Sequence, residues 1–574
     1  MKLNKDILVF FINAIVLVVQ PVHSQIFFEE QANALGINIS GGTSFLLGGV
    51  SFFDYDNDGW DDLTFGTKGV DPVRFFKNNN GTFVEETFNV AINGYSKQVI
   101  WVDYDNDGDN DLFVARLDAN NKLFQNDGNF NFTDVTAMAG FPNEVLSSYG
   151  ASFGDYDNDG FLDVFISNID DAASVPNRLY HNNGDGTFTD VSVSAGISTE
   201  GHMSFCSAFF DYDKDGYLDI YISNDRMNNP NIMYHNNGDG TFTDTSAATG
   251  TNIIANAMST TIGDYNYDGW LDIYVTNTSE GNFLLKNNGD GTFTDMANYT
   301  GTLFHSIGWG AIFLDADNDM DLDMYVSGMI NNPNIGVLTS AFYESVPGYI
   351  FQIPSNAGFA NDNYRSFANA IGDVDNNGYP DFIVMNESPD NHTLWQNSGG
   401  TNNWLKVKLE GVISNKNGIG SWIEIMANGQ VMYRYTLCGE GFLSQNSASE
   451  FFVLGTATTI DYIKVNWLSG VEDMYYNVNP NQTLTLVEGE TLSTNEFSQA
   501  NFHLTPNPTT GTIQVFNVTQ PTKTVVYDVA GRLIDEMTLT SVNHTINLKA
   551  QAKGMYFVTL EQGGRKVVKK VVLQ

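Results

Sequence analysis

Seven closely similar acidic nonapeptides punctuate this chain at intervals of 49, 52, 56, 53, 51 and 58 residues. They begin at Asp54, Asp103, Asp155, Asp211, Asp264, Asp315 and Asp373. A period of this size restricts the chain to a repeat architecture, in which each unit buries its apolar face against its neighbours. Carboxylates at alternate positions curl inward, with a glycine at the sixth that tolerates positive φ. Such a turn is suited to a hard cation, and calcium takes about six to eight oxygens. An EF-hand would need a glutamate at its twelfth position, where this chain has Phe65 and Ile166 in the first and third copies. Each copy instead has an aspartate at position nine, which makes a short loop joining two strands.

The candidate metal ligands are Asp54, Asp56, Asp58 and Asp62; Asp103, Asp105, Asp107 and Asp111; Asp155, Asp157, Asp159 and Asp163; Asp211, Asp213, Asp215 and Asp219. The later loops supply Asp264, Asn266, Asp268 and Asp272; Asp315, Asp317, Asp319 and Asp323; Asp373, Asp375, Asn377 and Asp381. Asn266 and Asn377 replace carboxylates, Pro380 stands at the eighth position of the last copy, and Met320 replaces the glycine of the sixth. The sixth site is therefore the weakest on sequence. Magnesium, which keeps its waters and demands a stricter octahedron, fits less well than calcium.

The 574 residues leave room for three or more domains. Sixty-eight acidic residues against 26 basic ones give a formal charge of −42. Nucleic acid and anionic membrane surfaces are poor partners for such a chain. Much of the excess lies in the loops, where seven divalent ions would cancel a third of it. Lys2, Lys5, an apolar run from Ile7 to Val19 and then Val22-His23-Ser24 read as a signal peptide over residues 1–24. The run is short for a transmembrane span, and no cysteine follows it to carry a lipid anchor. The two cysteines, Cys206 and Cys438, lie in different segments and read as buried thiols.

The third copy shows the unit. Strands are expected at Ser148 to Gly154, Leu162 to Ser167, Arg178 to His181 and Thr187 to Val191, with Asn182-Asn183-Gly184-Asp185-Gly186 as the last hairpin turn. Related hairpins follow at Asn78, Asn126, Asn236 and Asn287. Four antiparallel strands per repeat make one propeller blade. Phe28-Glu29-Glu30 resembles the fourth strand of a unit, whereas the seventh unit stops at Leu394-Trp395-Gln396-Asn397, a third strand. The N-terminal strand is thus expected to complete the last blade. The metal loops and the hairpin turns share one face, and the more variable loops lie opposite, where a ligand surface is expected. Tyr149, Phe205, Met258, Trp309 and Phe367, six positions before a loop, are placed either at the rim of a central channel or in the core. His202, Arg226, His305 and Arg365 are nearby polar candidates.

On these loops, residues 28 to about 400 resemble the FG-GAP and VCBS-type repeats of integrin α-subunit propellers. The resemblance implies calcium held by the first, third, fifth and ninth loop side chains and by the seventh backbone carbonyl. Residues 403–489 are similar to the ASPIC/UnbV module that follows such repeats in the cartilage acidic protein family. The matching pieces are Asn403-Trp404-Leu405, Ser414-Asn415-Lys416-Asn417-Gly418, Gly439-Glu440-Gly441-Phe442 and Trp467-Leu468-Ser469-Gly470. Residues 501–574 resemble the C-terminal sorting domain of the type IX secretion system, through Pro506-Asn507-Pro508, Tyr527-Asp528-Val529-Ala530-Gly531-Arg532, Gly554-Met555-Tyr556-Phe557 and the basic end Lys569-Lys570. That resemblance implies a Bacteroidota source, the secretion machinery as a partner, and a place outside the cell or on its surface.

The expected fold class is all-β: a seven-bladed β-propeller over 25–400, a small β domain over 403–489, a linker over 490–500 and a C-terminal β-sandwich over 501–574. The function expected is adhesion or the binding of a glycan or protein ligand on the face opposite the calcium loops, with several structural Ca2+. The alternative is an extracellular polysaccharide lyase or hydrolase on the same scaffold. That alternative lacks a visible carboxylate pair, since Glu144, Glu200 and Glu280 stand apart.

Overall fold

The computed structural model describes residues 26–40, 48–67, 71–92, 94–169, 175–330, 338–490, 503–516, 518, 521–529, 532–540, 544–562 and 565–574. The signal-peptide segment, the 491–500 part of the linker and residues 501–502 lie outside them. The chain divides into two compact units, Met1–Thr491 and Leu492–Gln574.

The repeat region of the first unit is a series of four-stranded antiparallel sheets of the kind that make propeller blades. In the third, Ser148–Gly154, Asp163–Asn168, Arg178–Asn182 and Phe188–Asp190 pair in chain order. Its first two strands register Phe153 against Val164 and Gly154 against Asp163, so the metal loop spans their shared end. The inner strand is buried at all seven positions, because neighbouring sheets cover both of its faces. The outer strand buries only Phe188 and leaves Thr189 and Asp190 in solvent. The same order recurs in sheets with inner strands Val50–Phe53, Ser96–Val102, Ser204–Phe210, Thr261–Gly263 and Gly308–Leu314.

The last sheet is completed from the other end of the region. Phe28–Glu30 pairs with Thr393–Asn397, Phe28 opposite Asn397 and Glu30 opposite Trp395. Val50–Phe53 of the first sheet lies beside Ser366–Gly372 of the last.

Residues 403–487 form two further sheets around one core that includes Leu405, Ile423, Ile463 and Trp467. One sheet places Asn403–Glu410 between Ser449–Gly455 and Gln482–Val487; the other runs Gln430–Tyr435, Trp422–Ala427, Ile460–Asn466, Glu472–Val478. The Glu488 carboxylate ties this module together by accepting the successive N–H groups of Val412, Ile413 and Ser414 at 2.6–2.8 Å. Burial pushes its carboxyl up, but the hydrogen bond from the Ser469 hydroxyl together with those three holds it below the ordinary range.

The segment from Cys438 to Ser447 leaves the module and passes between the inner strands of the repeat sheets. Phe153 N–H donates to the Cys438 carbonyl at 2.9 Å, near the metal-loop end. Val50 N–H donates to the Leu443 carbonyl at 3.2 Å, at the far end. Ser444–Gln445 then pairs in parallel with Val50–Ser51, and Ser447 N–H donates to the Ile371 carbonyl back at the loop end. The Gln445 amide accepts from Ser51 Oγ and Trp101 N–H and donates to the Trp101 carbonyl at 2.7–2.8 Å. Tyr149, Phe205, Met258, Trp309 and Phe367 gather around Phe442 and Leu443 in one buried cluster. Of the two placements expected for these residues, the core is the one observed: they are buried together with Phe442. Both cysteines are free and buried, and burial pushes the Cys206 thiol up to about 12.

The second unit has a three-stranded sheet, His503–Thr505, Thr512–Phe516 and Thr545–Asn547, and a four-stranded one, Leu533–Leu539, Thr522–Asp528, Gly554–Gln562 and Arg565–Leu573. Ile513, Val515 and Ile546 from the first share a core with Val526, Val558, Leu560 and Val571 from the second.

Candidate metal centres

Each acidic loop is folded by its own carboxylates. The first aspartate accepts the N–H groups of loop positions five and six, at 2.8–3.2 Å in all seven copies. The fifth side chain accepts the N–H of position seven, as Asp58 does from Trp60 and Asn377 from Tyr379. Two residues per loop take left-handed backbone. Position six is Gly59 at φ +89° and its equivalents; position four is Asn57 at +58° and Asn106, Asn158, Asn318 and Asn376 within a few degrees of it. Asparagine visits this region more readily than most side chains. The sixth loop keeps the same shape without its glycine: Met320 sits at φ +80°, and its N–H donates to Asp315 Oδ2 at 3.0 Å.

The ninth aspartate is the anchor. Asp163 is fully buried; its Oδ2 accepts from Tyr156 N–H at 3.0 Å and its Oδ1 from Asn182 N–H at 2.8 Å. Asp62, Asp111, Asp219, Asp323 and Asp381 make the same pair of bonds. The asparagine at the end of the third strand then joins neighbouring sheets. Asn182, Asn236 and Asn287 Nδ2 donate at 2.8 Å to the carbonyls of Tyr104, Tyr156 and Tyr212 in the preceding loop, and Asn78 reaches Val374 at 2.9 Å.

The donor sets fit a metal ion. Asp54, Asp56 and Asp58, Asp103, Asp105 and Asp107, and Asp155, Asp157 and Asp159 each bring oxygens within 4.8 Å of one another. Asp105 Oδ1, Asp157 Oδ1, Asp213 Oδ1 and Asp272 Oδ2 are enclosed and have no hydrogen-bond partner, as ligand atoms in want of an ion would be. Burial, reinforced by neighbouring carboxylates, lifts the carboxyls of Asp62 and Asp111 to about 9 and that of Asp155 to about 8. A bound divalent ion reverses that penalty.

Sequence reasoning missed the side chain just before the third-strand asparagine, which reaches into its loop. Lys77 pairs with Asp56 and Asp58, and Lys286 with Asp268 at 2.7 Å. Gln125 and Gln396 donate to Asp105 and Asp375 at 2.8 and 3.1 Å. His181 Nδ1 lies 3.2 Å from Asp163 and 3.3 Å from Asp157; His235 Nδ1 lies 3.2 Å from Asp219 and 3.5 Å from Asp213. A period-two strand pointing this residue toward the loop was the available signal.

The module also covers the loops. Lys408 Nζ donates to Asn57 at 2.9 Å, and Lys416 N–H to Asn106 at 3.0 Å. The Ile413 carbonyl abuts Gly160, and Lys214 lies 4.9 Å from the Trp422 ring centre. Arg434 lies 5.9 Å from the Tyr267 ring, Met320 packs on the module core, and Lys406 donates to Asn376 and pairs with buried Asp373 at 2.9 Å. All seven loops therefore meet the module. Of the polar residues expected on the opposite face, Arg226 pairs with Asp225 and Arg365 with Glu387. Glu280 accepts a hydrogen bond from neighbouring Thr278.

These sheets and loops define a class, and the family matches agree with it. The FG-GAP-like repeat family matches residues 54–114, 103–166, 155–222, 211–275 and 264–326. The ASPIC and UnbV family matches 411–493, and the secretion system C-terminal sorting domain matches 503–574. The chain carries all three, and its sorting domain marks it as secreted or cell-surface. It is distantly similar to cartilage acidic protein 1 of Homo sapiens, 26% identical over 316 residues, covering 49% of this chain and 47% of that protein. The same protein of Mus musculus is 25% identical, over 49% of this chain and 48% of its own. The chain thus spans about half the length of the curated relatives it matches. Among solved structures, the BP39L lectin from Burkholderia pseudomallei is 10% identical with a TM-score of 0.40, over 62% of this chain and 98% of its own. Sqt1 of Saccharomyces cerevisiae is 11% identical with a TM-score of 0.37, over 66% and 100%. Among the described residues no helix is long and apolar enough to cross a membrane.

Proposed function

We propose that this chain is a calcium-stabilised, seven-bladed β-propeller protein, exported through a type IX secretion route, that binds a glycan or protein ligand in adhesion or capture. On this reading the domains are the signal peptide 1–24, the propeller 25–400, the ASPIC/UnbV module 403–489, a linker 490–500 and the sorting sandwich 501–574. The twenty-eight loop side chains named from the sequence hold calcium. The observation that carries the reading is the division of faces. Every acidic loop lies on one face under the module, so structural metal and the capping domain occupy that end. Recognition falls to the opposite loops, which differ from sheet to sheet. The central aromatics are sealed by Phe442 and are not offered as a sugar platform.

The test is a glycan and extracellular-protein array probed with the secreted chain, with calcium and with chelator. Calcium-dependent retention of a ligand, lost on substitution of opposite-face loops but not of exposed module residues, supports the reading. Shortening of a bound polymer would favour a depolymerising enzyme, and retention mapped to the module face would reverse the assignment of faces.

A further inference from the structure

The residue before the third-strand asparagine differs between loops in a way that bears on which ion each accepts. Loops one and five place an ammonium there, Lys77 and Lys286, which competes with a divalent ion for the same carboxylates. Loops two and seven place the neutral amides of Gln125 and Gln396. Loops three and four alone place an imidazole. In both, Nδ1 faces the third and ninth aspartates, and Asp157-Asp163-His181 and Asp213-Asp219-His235 each gather their donor atoms within 4.8 Å. The two sites repeat in detail: each ring packs edge-on against the tyrosine at loop position two, Tyr156 at 6.1 Å and Tyr212 at 6.0 Å. In each, one oxygen of the third aspartate, Asp157 Oδ1 and Asp213 Oδ1, is enclosed without a hydrogen-bond partner. One imidazole nitrogen with two carboxylates is a mixed set that suits a borderline transition metal; calcium prefers oxygen throughout.

We propose that loops three and four bind a divalent transition metal of the zinc, cobalt and manganese class through His181, Asp157 and Asp163 and through His235, Asp213 and Asp219, whereas the other loops are restricted to calcium. The inference rests on the reading of the loops as metal sites, and it adds a second kind of ion. The chain supplies its own control, since glutamine already stands at this position in loops two and seven in the same strand context.

The experiment titrates the full secreted chain, stripped of metal and then held in excess calcium, with Zn2+ by calorimetry and with Co2+ by visible absorption. The wild type is expected to take up two zinc equivalents that calcium does not displace, with nitrogen-ligated cobalt bands. The double variant His181→Gln/His235→Gln is expected to lose both equivalents, or at least about tenfold in affinity for each, with the calcium count and melting temperature measured before zinc is added unchanged. Equal zinc uptake by wild type and variant, or zinc that calcium displaces completely, would overturn the proposal. Failure of calcium to bind either protein would instead overturn the calcium reading, and the histidine-dependent zinc count would still be read separately.

Discussion

A single backbone conformation decides whether an acidic turn can close on an ion. At Gly59, Gly108 and Gly216 the chain runs at φ +89°, +100° and +90°, and nothing lies within 4 Å of where a Cβ would stand. Replacing any of them by alanine therefore meets no clash and costs backbone strain alone, about 1–2 kcal/mol. Denaturant unfolding of Gly59→Ala in calcium excess should show that loss; a change near zero would mean the turn relaxes. Met320 holds the same conformation at +80° and repays part of the strain by packing on the module core. Met320→Gly should then leave stability nearly unchanged, where Gly→Ala at the other loops does not. At the fourth position, Lys214 and Tyr267 stand where most copies have asparagine, and both are held by rings or cations of neighbouring segments.

Within one sheet, the ninth aspartate and the third-strand asparagine do different work from the outer carboxylates. Asp163 ties two backbone N–H groups, and Asn182 Nδ2 donates to the Leu162 and Tyr104 carbonyls, one in its own sheet and one in the previous. Asn182→Ala leaves two buried carbonyls unsatisfied and should cost about 1–3 kcal/mol even in chelator, whereas Asp159→Asn should matter chiefly when calcium is present. Equal losses for the two variants in chelator would contradict this division. The spacing of aspartates made the loops legible, and the Asn-Gly-Asp turns made the outer hairpins legible, because both are local patterns. The third-sheet strands expected from those signals lie within a residue or two of the observed ones. The destination of Gly439-Glu440-Gly441-Phe442 was not legible, because nothing local in a glycine-rich loop states which cavity it will fill. The role of His181 was hidden for a related reason: its partners Asp157 and Asp163 lie some twenty residues away and meet it only across paired strands.

At the scale of the first unit, two things hold the repeat sheets: the segment at their centre and the charge at their end. Phe442 is fully buried, with ring centres 6.1 Å from Phe205 and 5.1 Å from Trp309. Phe442→Ala should destabilise the unit by about 3–5 kcal/mol and shift Trp309 fluorescence; an unshifted melt would mean the centre is held by the sheets alone. The charge acts through burial. The carboxyls of Asp103, Asp163 and Asp219 stand near 7 and those of Asp62 and Asp111 near 9, all above their unfolded value. Groups raised in this sense favour the folded state when protonated, and that contribution is lost as pH rises through the folded values. The same carboxylates must be ionised to hold calcium. In chelator the melting temperature should therefore fall between about pH 5 and pH 9, and in calcium excess it should rise or hold level over that range. The most direct measurement of the central claim is a calcium count on the purified, dialysed chain by elemental analysis, paired with its melt before and after chelation. The account predicts close to one divalent ion per acidic loop, calcium in loops one, two, five, six and seven and calcium or the transition metal in loops three and four, and a melt many degrees lower once the ions are removed; a chain that purifies without calcium and melts alike in both conditions would contradict it.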